Sequence, residues 1–480
     1  VVHPTKKAMN KHIQLDSAAD QVAQATNQER LVILVALNWS RDKDPRLPLG
    51  HASILATLQR AKRSVEQIVV GVNDNANAHD LFVQIMEIAR TNQSRSIDLG
   101  IGAYIWGEAL IQDLLPMLRR NGFQGRIILG GPQISFMETG FELKYPDADI
   151  FIRGNGENAL LAVTATNQII NFPGVHYAGS EFLVTTGFSN LESLPSPWLN
   201  HDWQREPLRF VRFETMRGCP YSCSFCQHRA PKRDARPNYI PAERIMQEVD
   251  IFCDNRVESI AVLDPIFNIS PISIQVLEAF AMRGYEGKLS LQCRAELLKP
   301  EFLEVASKLN VTLEFGLQTI HLNESTAIDR RNKIEKVDEA LEMVRELGIN
   351  HEVSLIFGLP EQTLESFKQS VQWCLQRKVP VIKAFPLMLL RGTKLERDAP
   401  KWALEQSDDE IPIVIGSSTF IRTDWEQMNA ISEALKETEG NHPLNLEHLP
   451  LPNNRSKSHF RWTPTRQYHR AAGLNPIISG

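Results

Sequence analysis

The chain has 480 residues, 42% hydrophobic and 23% charged, which is the profile of a globular protein of two or three domains. That composition excludes collagen-like, low-complexity and largely disordered classes. With 52 basic against 57 acidic residues the net charge is −5, so a general nucleic-acid binder, which needs an overall positive field, is argued against.

Residues 1–29 are polar and lack the apolar segment of a secretory signal. From there apolar runs alternate with amphipathic stretches. The patterning predicts strands at 31–37, 65–72, 97–103, 126–129 and 149–152, and helices at 49–63, 79–91 and 109–120. Continuous apolar strands separated by helices predict a parallel sheet covered on both faces. Residues 30–165 are therefore read as one doubly wound domain. The proline-bearing stretch 166–207 reads as a linker with room for edge strands.

A second βα series follows over 208–400. Its strands are expected near 209–215, 258–263, 288–293, 311–316, 352–357 and 381–387, with helices near 241–254, 270–283, 300–309, 335–347 and 363–377. Six units are too few for a closed eightfold barrel, so a partial barrel is expected. Residues 401–480 lose the alternation, apart from a helix at 424–438. The last thirty residues hold Arg455, Lys457, Arg461, Arg466 and Arg470 and no acid. With Phe460, Trp462 and Tyr468 they offer a base-stacking surface, but the overall charge favours a solvated or docked tail. No 18-residue apolar stretch occurs, so no membrane span is expected.

Six cysteines are distributed as one cluster and three singletons. Cys253, Cys293 and Cys374 fall inside predicted elements and read as small buried hydrophobes. Cys219, Cys223 and Cys226 crowd into a loop just after the first strand of the second series, where parallel α/β sheets place their sites. A cluster rather than spread pairs points to a metal site in a reducing, cytoplasmic setting. Structural zinc wants four protein ligands, and His228 is the nearest candidate fourth. Three thiolates alone suit a four-iron cluster with one iron left for another ligand.

The segment Arg217-Gly-Cys219-Pro-Tyr-Ser-Cys223-Ser-Phe225-Cys226, at that place in a βα series, resembles the radical S-adenosylmethionine (SAM) superfamily. The resemblance implies that Cys219, Cys223 and Cys226 ligate a [4Fe–4S] cluster whose open iron holds SAM. It places Phe225, Asp264, Asn268, Arg294, Glu314, Gln318, Phe357 and Leu387 around SAM. The family's usual Gly-Gly-Glu after strand two is absent; Leu263-Asp264-Pro-Ile-Phe-Asn268 stands there instead, a form associated with the cobalamin-binding subgroup.

The upstream doubly wound domain resembles the Rossmann-like cobalamin-binding domain of that subgroup. Its strand-end loops carry Trp39, Arg41, Leu49, Gly50, Tyr104, Trp106, Gly130, Gly131, Pro132, Gly154 and Glu157, which the resemblance makes cobalamin contacts. The Asp-x-His-x-x-Gly motif, whose His coordinates cobalt, is missing, so the lower face of cobalt is expected to be open or capped by a residue such as Trp39, Arg41, Arg46 or Trp106. A domain that has lost cobalamin is the alternative.

The resemblance as a whole implies a cobalamin-dependent methyltransferase. SAM is cleaved to a 5′-deoxyadenosyl radical, and methylcobalamin supplies a methyl group to an unactivated or weakly nucleophilic centre. The expected partners are a small-molecule or peptide substrate and an electron donor such as flavodoxin or ferredoxin. A cyclase or rearrangement enzyme shares these motifs, as does an RNA-modifying enzyme aided by the basic tail. A zinc-binding scaffold is the reading from another class. No catalytic side chain, substrate or oligomeric state is indicated.

Overall fold

A computed structural model describes residues 30–40, 47–74, 76–181, 185–228, 237–409 and 411–451. The N-terminal tail, Arg41, Arg46 and the basic C-terminal tail lie outside the described residues. The first sheet is built from β1 (Arg30–Asn38), β2 (Ser64–Gly71), β3 (Ser96–Gly102), β4 (Arg126–Gly130), β5 (Ile150–Ile152) and β6 (Val175–Tyr177). Its order is β2-β1-β3-β4-β5-β6. The first five strands are parallel, and β6 closes the edge antiparallel to β5.

All nine residues of β1 are buried. Alternation along the strand explains this. Leu31, Ile33, Val35 and Leu37 face a core closed by α2 (Ala78–Thr91) and α3 (Glu108–Arg120). Val32 and Leu34 face the opposite core, closed by α1 (Leu49–Arg60) and α4 (Glu157–Val163). α1 ends three residues before its expected limit, since Lys62 takes a left-handed φ of 54°. α4 was not among the expected elements, and the three-residue β6 is an edge strand of the kind the 166–207 stretch left room for.

The second sheet contains β7 (Phe210–Phe213), β8 (Ser259–Val262), β9 (Lys288–Cys293), β10 (Val311–Gln318), β11 (Asn350–Phe357) and β12 (Val381–Pro386). All pairs are parallel and the strands lie in chain order from β7 to β12. α5 (Ala242–Asp254), α6 (Ser273–Met282), α7 (Pro300–Ala306), α8 (Ile334–Glu346) and α9 (Leu364–Gln376) connect them. α10 (Arg422–Glu437) packs on β12 and α9. Sequential parallel order with helical crossovers makes the open, partial barrel that six units predict.

The domains share side chains. Leu49 and Ala52 of α1 are buried in the same apolar cluster as Val211 and Phe213 of β7. The carboxyl ends of β1, β3, β4 and β5 thus face the carboxyl end of β7. Among the described residues no helix is long and apolar enough to cross a membrane.

Candidate functional site

The chain leaves β7 at Phe213 and enters a two-residue ladder, Met216–Arg217 against Asn238–Tyr239. Gly218 follows at φ 94°, a conformation glycine adopts freely, and turns the chain into the cysteines. Asp264, fully buried after β8, secures this entry. Its Oδ1 accepts the N–H groups of Thr215 (2.7 Å) and Met216 (3.1 Å), and its Oδ2 accepts the Thr215 hydroxyl. Within the loop, the Cys226 N–H donates to the Cys223 carbonyl (3.2 Å). Ser224 donates to the Ile328 carbonyl (2.9 Å) and accepts from the Leu395 N–H (2.8 Å). Arg330 donates from Nη1 to the Cys223 sulfur at 3.7 Å.

The three thiols are partly buried and unpaired by disulfides. They are close enough to raise one another: burial, with the neighbouring thiols adding to it, lifts Cys226 to about 11, against the His228 N–H and, more weakly, Arg330. Cys219 is also raised, chiefly by burial. Both are protonated at neutral pH in the free protein, so metal binding must displace their protons. Among the described residues no three His, Cys, Asp or Glu side chains converge as one metal ion requires. Sulfurs around a single zinc sit within about 4 Å of each other, given a Zn–S bond near 2.3 Å. Three neighbouring thiols on one short loop, not converging on a single point, are a donor set that fits the corners of an iron–sulfur cluster.

The other expected SAM residues divide. Asn268 joins two strand ends, accepting from the Arg294 N–H (3.1 Å) and donating to its carbonyl (3.0 Å). Arg294 is buried, pairs with Glu296 at 2.6 Å and stacks over Tyr221 of the cysteine loop at 4.0 Å. Glu314 and Gln318 are half-buried on β10, where Gln318 takes φ 70° and the register against β11 slips. Phe225 packs partly buried against the main core. Phe357 does not reach the mouth of the barrel; its ring is fully buried against Phe367 and Trp425. Leu387 is buried and exchanges backbone bonds with Phe357 and Val414. Asp264 has both oxygens engaged by the entry to the loop, a different use from the ligand contact expected of it.

The strand register sets the expected Glu314 beside Gln292 and adds Glu352 and Lys383, which the sequence reading left out. Gln292, Glu314 and Glu352 lie side by side on β9, β10 and β11. Lys383 on β12 pairs with Glu352. Their parity opposes the buried Leu291, Phe315 and Val353, so the concave face of the barrel is polar. The signal was present as alternation within β10.

A cavity of about 470 Å³ lies between the two sheets. From the first domain it is lined by Leu49, Gly50, Tyr104, Gly130, Gly131, Pro132, Gly154 and Glu157, all of them expected there. From the second it is lined by Glu214, Arg217, Gly218, Cys219, Gln227 and His228. Its sheet edge is bare backbone for a packing reason: at Gly131, φ 90°, a Cβ would meet the Ala103 carbonyl at 2.7 Å. Tyr104 stacks on Trp106 at 4.7 Å. Trp106 is outside the lining, its indole N–H donating to the Leu37 carbonyl (2.9 Å). Trp39 is half-buried after β1 and also outside the lining. His51 lines the cavity but its Nε2 is 3.0 Å from Gln67 Oε1, and burial lowers its pKa. The residues fit a broad, largely apolar ligand placed directly beside Cys219.

Two charged pairs cross between the domains, Glu157–Arg217 in the cavity wall and Glu108–Arg391 outside the lining. Glu157 accepts Arg217 Nη1 (2.7 Å), the Ser53 hydroxyl (2.9 Å) and the Ser189 hydroxyl (3.3 Å). Burial pushes Glu157 up, but Arg217, its own backbone N–H and the Ser53 hydroxyl together bring the net shift downward. Glu108 accepts both terminal nitrogens of Arg391, each at 3.0 Å. Gln227 in turn donates to the Arg391 carbonyl (2.8 Å).

Residues 213–374 match the radical SAM superfamily. The cobalamin-dependent radical SAM methyltransferase TokK of Streptomyces tokunonensis is 26% identical over 375 residues, 73% of this chain and 54% of that protein. The 2-(S-pantetheinyl)-carbapenam-3-carboxylate methyltransferase of Streptantibioticus cattleyicolor is 25% identical over 57% of this chain and 44% of its own length. The chain therefore spans about half the length of these curated relatives. Among solved structures, the radical SAM methyltransferase TsrM from Kitasatospora setae superposes at a TM-score of 0.66 with 16% identity, covering 85% of this chain and 89% of that one. The cobalamin-dependent SAM radical enzyme OxsB gives 0.66 with 17% identity, over 85% and 67%. A match that opens on β7 and takes in all three cysteines means that residues 213–374 are a radical SAM domain, set in a fold shared with TsrM and OxsB.

Proposed function

We propose that the chain is a cobalamin-dependent radical SAM methyltransferase that adds a methyl group to an unactivated or weakly nucleophilic centre of a small molecule or peptide. The carrying observation is the single cavity that touches both Cys219 and the glycine edge of the first sheet. Cys219, Cys223 and Cys226 would hold a [4Fe–4S] cluster, and the cavity edge at Gly130, Gly131 and Gly154 would hold cobalamin. Bound there, the cluster supplies the electron that cleaves SAM, and cobalamin supplies the methyl group. The chain's own residues position and exclude water: Asp264 fixes the loop entry, Asn268 and Arg294 tie adjacent strand ends, and the apolar cavity wall shields the reacting centre. The polar row Gln292, Glu314 and Glu352 is the assigned surface for the polar parts of SAM. A domain division at 30–165, 166–207 and 208–400 accompanies this reading, with 401–480 as a cap.

Anaerobic reconstitution tests it. The expected result is about four irons per chain, bound cobalamin by visible absorbance, and 5′-deoxyadenosine formed from SAM on reduction. Zinc in place of iron under strictly anaerobic conditions would sink it. A second reading, cyclisation without methyl transfer, is favoured by one finding: an anaerobic magnesium-protoporphyrin IX monomethyl ester cyclase of Cereibacter sphaeroides is 23% identical over 271 residues. Methyl-labelled SAM separates the two, because only a methyltransferase carries the label into product.

A further inference from the structure

The cysteine loop is held at both flanks from the other domain. Arg217, two residues before Cys219, has its guanidinium divided between Glu214 of its own strand end (2.7 Å) and Glu157 of α4 (2.7 Å). Gln227, next to Cys226, grips the carbonyl of Arg391, whose guanidinium is held by Glu108 at the start of α3. Glu157 is 3% exposed, and both of its oxygens are already engaged, by Arg217 and Ser53 on one and Ser189 on the other. Buried charge pairs are a poor source of stability compared with apolar packing, so what these two contribute is the tie between the loop's flanks and the helices of the other domain. Both pairs converge on the loop that carries the thiols.

We propose that Glu157 is a positioning residue for the metal cluster, acting across the domain boundary through Arg217, rather than a contact for cobalamin. Glu108 performs the matching task at the far flank through Arg391. The inference rests on the cluster assignment above. It adds that the first domain shapes the cluster whether or not its own ligand is bound.

The test uses full-length protein reconstituted with iron and sulfide but without cobalamin. Glu157→Gln keeps the shape and removes the charge. The expected result is an unchanged iron content, an altered EPR spectrum of the reduced cluster with SAM, and 5′-deoxyadenosine formation slowed by about a hundredfold, the scale of an ångström misplacement. Glu157→Asp should restore part of the rate. Arg217→Gln should reproduce the defect, and the double variant should be no worse than either single one. Arg209→Gln, which breaks an exposed pair with Glu258, serves as the control. Hydroxocobalamin titration should give nearly the wild-type affinity for Glu157→Gln. A variant with the wild-type spectrum and rate overturns the proposal, as does one that loses only hydroxocobalamin binding. If Glu157→Gln melts well below wild type, Glu108→Gln is read instead under the same criteria. Wild-type protein that takes up no four-iron cluster is a separate outcome and defeats the functional reading itself.

Discussion

Asp264 shows how one carboxylate serves a loop that contains none of its neighbours in sequence. Burial pushes its pKa from the ordinary 3.8 up to about 6, against the hydrogen bonds from Thr215 and Met216. Between those values the native state keeps a proton that the unfolded chain has released. Stability from this group therefore falls as pH rises from about 4 to 6, and the loss of about 3 kcal/mol is complete above that window. Asp264→Asn keeps an acceptor for both N–H groups without the charge. Relative to wild type it should gain stability at pH 7.5 and gain less at pH 4.5, measured by denaturant titration; equal differences at both would refute the assignment. Asp264→Ala strands two backbone donors and should lose about 2 kcal/mol. Separately, Cys223→Ala or Cys226→Ala should bring iron from about four atoms to near zero with little change in melting temperature.

At the scale of elements, the sequence is most transparent where burial is complete. β1 is a run of apolar residues long enough to be unambiguous, β10 shows clear alternation, and most of the helices carry one apolar face. β6 was foreseen only as room for an edge strand, because three residues in a proline-bearing stretch have too little periodicity to place. Phe357 was misplaced for a reason the strand itself contains: it shares parity with the buried Val353 and Leu355, so β11 turns it into the core. Glu352 was missed by the same oversight on the opposite face. The cysteine loop was legible because ligand spacing is local, whereas the Glu157–Arg217 pair joins residues 60 apart and depends on how two sheets meet. The strand-end turn at Gly131 gives an element-level test. Gly131→Ala forces a left-handed φ and a clash with the Ala103 carbonyl. It should cost about 2 kcal/mol and weaken cobalamin binding, read by thermal melt and absorbance titration.

Over the whole molecule, two domains behave as one because apolar packing and charge agree at their junction. α1 lends Leu49 and Ala52 to the second core, and Arg391 returns a guanidinium to the first domain. Arg391→Ala leaves Glu108 with only Tyr145, Gln133 and Lys144. The expected outcome is a loss of about 3 kcal/mol and a calorimetric transition that broadens or splits. A single sharp transition at the wild-type temperature would show that the apolar contacts suffice.

The second sheet also sets a clock. Its strands are laid down in the order in which they are made, with the cysteine loop at the very start. The residue that closes over that loop, Arg391, lies 164 positions beyond its partner Gln227. At ribosomal speeds that interval is roughly 8 to 30 seconds. Until Arg391 is made, the loop lacks the bond that Gln227 donates to it and the ion pair that ties it to Glu108. The downstream flank of the cysteine loop is thus completed late in synthesis, long after the cysteines themselves.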